Sequence, residues 1–407
     1  MNKLRKNSAM LQTRLSKLFI LILLVFLTAT NQSNGLSPQA KISLLSVGPG
    51  EELYAGFGHS ALWVFDLELQ IDRVYHYGTF DFDSDFYMKF VRGKLDYRIS
   101  VSDMYSFMYN YHEENRSVGE QQLNISHKQK EEIFAFLEKN NLPENRYYRY
   151  DFFFDNCSTR IRDLMTKVLN DSIQFNTTND LNYSPRQMID LYLQDKKIQD
   201  LGMDIGLGAP ADKKLVPYGY MFLPDFLKSG FDSAQVYNTG KWQPLVLKNN
   251  ILFQAIPVTK AKSLFSPMLF CWFLFLAVAI ITYLQIDKYH SFYIDAFWLI
   301  ATGILGIVLV GLWFFTDHNV TINNWDLCWA TPLHIPVAVF LIRRNNTKFL
   351  SLYFIAYAGV CTLLIVFWKI IPEELNPAVL PLILIFLLRA VNISYYFHRN
   401  RIAKLST

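Results

Sequence analysis

Two patterns of apolar and polar positions divide the chain. Across residues 35–262, short apolar runs alternate with polar stretches, the mark of a water-exposed domain mixing strands and helices. From residue 263 onward, apolar segments recur near Leu264–Leu284, Phe292–Phe315, Trp325–Ile342, Phe349–Trp368 and Ala378–Tyr396. Each approaches the ~20 residues that cross a bilayer as a helix, although Pro332 and Pro336 interrupt the third. The pattern predicts an α+β domain followed by an all-α membrane domain of about five transmembrane helices.

Inside the first part, Ile42–Val47 reads as a strand that ends in the turn Gly48-Pro49-Gly50. The stretch Glu51–Asp66 ends in a buried strand, and Gly56 and Gly58 before His59 leave room for a close neighbour. Arg73–Phe80 follows as a second strand, Phe82–Arg98 includes a short helix, and Val101–His112 fits another strand or strand pair. Ser126 caps an amphipathic helix over His127–Asn140 with Ile133, Phe134, Phe136 and Leu137 inward. A further helix starts at Cys157, capped by Asp155 or Asn156, with Ile161, Leu164, Met165 and Val168 at helical spacing. Ser184–Gln194 is helical with Pro185 in its first turn, Gly202–Pro210 is loop, and Tyr218–Asp225 is an aromatic stretch.

Charge changes the picture at the ends. Lys3, Arg5, Lys6, Arg14 and Lys17 precede an apolar run from Leu18 to Leu27, so residues 1–30 form an export signal or a retained anchor. Either sends residues 31–262 across the membrane. The loops that would lie outside, Thr316–Thr331 and Lys369–Pro377, hold one Lys and no Arg, in keeping with the positive-inside rule. Arg343, Arg344, Lys348, Arg399 and Arg401 fall inside. These flanks account for a pI near 8.6, so the basic balance implies no nucleic acid partner. The expected topology is multi-pass, with the soluble domain outside and the apolar segments following it.

The candidate chemistry centres on Cys157. A thiol in the first turn of a helix feels the positive end of the dipole, which predicts a pKa below the ~8.5 of free cysteine. The same turn offers unpaired N–H groups for an oxyanion. Cys157 is the exported domain's lone cysteine, either a working thiol or a partner of Cys328. His59 is the candidate base, and His76 a candidate orienting group. Arg160 and Arg162 form a solvated face or hold a lipid phosphate. His318, Asn324 and their polar neighbours sit where a lipid headgroup would meet the soluble domain. His59, His76, Asp81 and Asp83 do not have metal-site spacing, and no Gly-rich phosphate loop occurs, so neither metal nor cofactor is expected.

Three runs, Gly56-Phe57-Gly58-His59-Ser60-Ala61-Leu62, Tyr75-His76-Tyr77-Gly78-Thr79-Phe80-Asp81-Phe82 and Phe154-Asp155-Asn156-Cys157-Ser158-Thr159-Arg160-Ile161-Arg162-Asp163, resemble the Lnb-type bacterial lipoprotein N-acyltransferase family. Asp317-His318, Asn324-Trp325, Trp329 and Pro332 with the apolar tail resemble its membrane part. The order of His before Cys is similar to permuted papain-like (NlpC/P60-like) thiol folds. The resemblance implies Cys157 as nucleophile and His59 as base, with His76 standing where many relatives carry Asn. It further implies a bacterial inner membrane with the thiol domain in the periplasm; Asn156, Ser158, Arg160, His318 and Asn324 are the candidate substrate-binding residues. The implied reaction moves an acyl chain from a phospholipid, through a Cys157 thioester, to the α-amine of a diacylglyceryl-cysteine lipoprotein. Rival readings are a thiol peptidase or amidase of cell-wall peptides, a phospholipase, and a non-enzymatic lipid- or lipoprotein-binding module.

Overall fold

The computed structural model describes residues 35–80, 85, 88–89, 92–176, 182–257, 265–285 and 292–405. The expected leader at 1–30 and the domain boundary at 262–263 lie outside the described residues, as do Asp81 and Asp83.

The soluble part is built on an antiparallel sheet. Its strands are β1 (Lys41–Val47), β2 (His59–Asp66), β3 (Ile71–Thr79), β4 (Asp96–Ser102), β5 (Val118–Leu123), β6 (Tyr147–Arg149) and β10 (Val246–Phe253), in the order β10-β5-β1-β2-β3-β4-β6. Strands β7 (Ile173–Gln174), β8 (Gln235–Asn238) and β9 (Lys241–Pro244) form a small second sheet. The central strands β1 and β2 are buried almost throughout, because both faces of the large sheet are covered. One face packs Leu62, Val64, Tyr75 and Tyr77 against Ile133 and Leu137 of one helix and Ile161 and Met165 of another. The other buries Leu45, Val47, Ala61 and Val74 under Phe107.

Phe107 belongs to α1 (Met104–Glu113), where the periodicity suggests a strand; Asp103 caps this helix by accepting from the Ser106 N–H. The aromatic residues that favour strands here cover the sheet instead of extending it, with Tyr105 and Tyr109 left exposed. Helix α2 (His127–Asn141) starts in a capping box between Ser126 and Gln129. Helix α3 spans Cys157–Leu169. Helix α4 (Pro185–Leu193) has Ser184 and Gln187 in a capping box and Pro185 in its first turn. Helix α5 (Lys197–Gly206) runs through what the glycines suggest is loop, since Leu201 and Ile205 gain a core on the apolar helices. Helix α6 (Pro224–Ser233) completes the soluble part.

The C-terminal part is all-helical: α7 (Pro267–Gln285), α8 (Tyr293–Phe314), α9 (His334–Arg343), α10 (Thr347–Val366) and α11 (Val379–Leu405). Among the described residues four helices are long and apolar enough to cross a membrane, not five. The third expected segment becomes a short 3-10 turn at Trp325–Cys328 and a ten-residue helix. At 1.5 Å per residue that helix reaches about 15 Å, half a hydrocarbon core. Between them Trp329 and Ala330 are buried in the protein.

Candidate active site

Asn156 organises the Cys157 turn. Its side chain accepts from the N–H groups of Ser158 and Thr159, at 2.8 and 2.9 Å, and donates to the carbonyls of Phe152 and Phe222. The residue is buried, so the cap also fastens the aromatic strap 152–154 and the 220–223 segment to the helix start. Of the two candidate caps, Asn156 takes the role. Asp155 instead holds Arg160 in a bidentate pair at 2.6 and 2.8 Å, and the guanidinium lies 3.5 Å over the Tyr148 ring. Arg162 is buried, paired with Asp163 and bonded to the Tyr218 carbonyl.

Cys157 is free and half-buried. Its thiol occupies the end of the β2–β3 ladder, which stops at Ala61–His76. Gly78 of β3 lies beside it: a Cβ there would sit at ordinary contact distance, 4.0 Å, from Cys157 Cβ, and it is the φ of +88° that favours glycine at this position. Burial pushes the thiol up from its ordinary value, and the Ser60 N–H, the Ser158 hydroxyl and the N–H groups of the turn pull it back. The helix-start effect that predicts a lowered pKa is outweighed, because removing a thiolate from water costs more than a few oriented dipoles return.

His59 opens β2, next to Ser60, and pairs with Val47 of β1. Its ring meets His76 with centroids 5.6 Å apart and Tyr111 at 6.3 Å. Strand alternation places His59 and His76 with Ala61 and Val74, on the face covered by α1, whereas Cys157 packs against the opposite core. The imidazoles and the thiol thus approach the ladder's end from opposite faces. Tyr111 lies between the two: burial raises its hydroxyl pKa, and Cys157 adds a smaller part. Tyr148 and Tyr150 feel Cys157 in the same way. Burial holds His59 well below the usual imidazole range, with His76 and then Arg116 adding to the shift. His59 Nε2 is buried with no hydrogen-bond partner among the described residues. At rest the site is therefore a neutral imidazole and a neutral thiol.

Ser158 is fully buried and bonds Ser60 at 3.0 Å. His318 and Asn324 lie elsewhere, on the loop joining α8 to α9. A Cβ on Gly93 would touch the His318 ring at 3.2 Å. Asn324, buried, donates to the carbonyls of Ile205 and Leu207 at the end of α5. This loop reaches the Cys157 turn through Asp151, which accepts from Asn319 at 3.2 Å and begins the strap leading to Asn156. Gly208 N–H also bonds the Val320 carbonyl at 2.8 Å, so the loop is part of the soluble domain's wall.

The sequence is also similar to known families at two places. Residues 30–194 match the Lnb N-terminal periplasmic domain, and residues 259–401 match the Lnb transmembrane domain. Together these matches cover about three quarters of the chain. The chain belongs to the Lnb family. It is a multi-pass membrane protein with a periplasmic-type domain ahead of its apolar helices. No curated protein and no solved structure matches it.

Sequence reasoning did not single out Ser60, Tyr111, Tyr150 or Arg116. Ser60 follows His59 directly, a proximity that offers some signal. Arg116 bonds the Gly48 carbonyl at 2.9 Å and stacks 4.9 Å from Tyr111, contacts that nothing local in the sequence announces.

Proposed function

We propose that the chain is a lipoprotein N-acyltransferase of a bacterial inner membrane, its residues 31–262 forming a periplasmic thiol domain of permuted papain-like (NlpC/P60-like) fold and its residues 263–407 the membrane domain. The carrying observation is Cys157 in the first turn of α3, its sulfur met by the Ser60 N–H beside His59, on a domain docked to apolar helices. Lnb-family membership supports a lipoprotein-modifying membrane enzyme.

In this reading the Cys157 sulfur attacks the carbonyl carbon of a phospholipid acyl ester while its proton passes to His59. The Cys157 N–H stabilises the oxyanion, since the Asn156 side chain already takes those of Ser158 and Thr159. Collapse breaks the ester C–O bond, the proton goes from His59 to the departing oxygen, and a lysophospholipid leaves a thioester on Cys157. The α-amine of a diacylglyceryl-cysteine lipoprotein then attacks the thioester. Its extra proton passes through His59 to the sulfur, giving the N-acylated product and a free thiol. A neutral His59 is the form that accepts a proton, and a buried site favours proton transfer only once substrate has displaced water. No cofactor enters these steps.

Incubating the full chain with a defined phospholipid, beside Cys157→Ser, tests the reading by mass spectrometry. The expected result is one acyl group on the Cys157 peptide of the wild type, discharged by a diacylated lipopeptide. Discharge by water alone at the same rate would convert the reading to a phospholipase. An unacylated Cys157 without lysophospholipid release would overturn it in favour of peptide cleavage or binding.

A further inference from the structure

Two serine hydroxyls are buried where the α3 turn meets β2. Ser60 and Ser158 each have no exposed surface, and their oxygens stand 3.0 Å apart. Ser158 Oγ is in turn 4.0 Å from Cys157 Sγ. Among the described hydrogen bonds the Ser60 hydroxyl meets Ser158 alone, whereas the Ser158 hydroxyl meets both Ser60 and the sulfur. One hydroxyl hydrogen bridges the two oxygens. If Ser158 supplied it, the Ser60 hydrogen would be left buried without an acceptor. If Ser60 supplies it, the Ser158 hydrogen is free to face the sulfur and both are used.

We propose that Ser60 is a positioning residue for the nucleophile: its hydroxyl donates to Ser158, which turns the Ser158 hydroxyl toward the Cys157 sulfur, while the Ser60 N–H addresses the same atom. The relay rests on the reading of Cys157 as nucleophile. It joins the residue after the candidate base to the residue after the thiol, across 98 positions of sequence. A thiolate forming at Cys157 would meet two donors from Ser60, one direct and one through Ser158. Hydrogen bonds to charged acceptors are stronger than those to neutral ones, so the relay matters most once the proton has left. It also offsets part of the burial that pushes the thiol up.

The test is the pH dependence of Cys157 alkylation by iodoacetamide in the full chain, read on the Cys157 peptide by mass spectrometry. Wild type is compared with Ser60→Ala, Ser158→Ala and the double variant. Each single variant is expected to move the titration upward and slow alkylation near neutral pH by about tenfold. The double variant should be no slower than the slower single one, because the two hydroxyls act in series. A Ser60→Ala protein that folds and titrates like wild type overturns the relay, as does full additivity. Should Ser60→Ala not fold, a wild-type titration in Ser158→Ala overturns it equally. The readout does not involve acyl transfer. A shifted titration in a protein that never acquires an acyl group would sink the acyl-transfer reading and keep the relay.

Discussion

His59 and His76 meet edge to face, with ring centroids 5.6 Å apart, and Phe107 packs on His76 at 6.0 Å. Burial lowers His76 to about 4, with Arg98 adding to it, and His59 lies well below 6.5 for the reasons given above. Both bind protons more weakly folded than unfolded. Between the unfolded value near 6.5 and the folded one, the unfolded chain holds more protons, so stability falls as pH drops through that window. Melting temperature should fall between pH 7 and pH 5 in wild type and fall less in His76→Asn. An unchanged acid slope in the variant would remove His76 from the explanation.

The Asn156 side chain makes four hydrogen bonds, two within the Cys157 turn and two that tie it to Phe152 and Phe222. Asn156→Ala loses a helix cap, about 1 kcal/mol, and leaves the Phe222 carbonyl without this donor. A total destabilisation of about 2–4 kcal/mol is expected by thermal unfolding. Asn156→Asp keeps the acceptor for the helix and loses both donors, so it should fall between. Because the sulfur moves with the turn, acyl loading should drop about a hundredfold in Asn156→Ala. Full loading in a destabilised variant would separate the cap from the chemistry.

Gly208 is in close contact with the outer loop. A Cβ there would lie 2.0 Å from the Ile322 carbonyl oxygen and 2.9 Å from its carbon, both backbone atoms that cannot rotate away. Gly208→Ala should destabilise the protein by about 1–3 kcal/mol and expose the loop at 316–331 to protease. Gly202, inside α5, has nothing within 4 Å. Gly202→Ala should therefore be neutral or stabilise by up to about 1 kcal/mol through helix propensity. Equal effects at the two sites would refute the contact argument.

Arg186 is a buried cation amid carboxylates at the junction with the apolar helices. It pairs with Asp204 at 3.0 Å and Asp212 at 2.9 Å, while Asn376, in the segment before α11, donates to Asp204 at 2.8 Å. Asp190, Asp200 and Asp204 bring oxygens within 4.8 Å of one another, on the wall of a cleft of about 380 Å³. Burial raises Asp190 to about 8 and Asp200 to about 6, Asp204 adding to both. These folded values lie above the unfolded one, so the folded state holds extra protons and loses stability as pH rises toward 8. Asp190→Asn should raise the melting temperature more at pH 8 than at pH 5. Arg186→Leu, which leaves paired carboxylates bare, should cost about 3–5 kcal/mol at any neutral pH.

Much of this protein was legible because its signals are local. Ser126, Asn156 and Ser184 announce helix starts within three or four residues, and the apolar runs of α7, α8, α10 and α11 state their lengths directly. The Asn156-Cys157 turn and His59 after its glycines could be named as candidates on the same basis. Where packing competes with local preference, the sequence misled. Val101–His112 has the aromatics of a strand, yet Asp103 starts a helix whose Phe107 closes the sheet. Trp325–Ile342 has the apolarity of a span but breaks into a turn and a short helix.

The chain by itself determined that a soluble α+β part precedes apolar helices, and that a cysteine stands in the first turn of a capped helix. Only the tertiary structure decided the state of that cysteine. Its burial, the Ser60 and Ser158 donors, and the imidazoles reaching the ladder's end from the other face come from segments about a hundred residues apart. A helix dipole is carried by a few neighbouring peptides and can be read along the chain, whereas desolvation and long-range pairing depend on what the fold brings around the group.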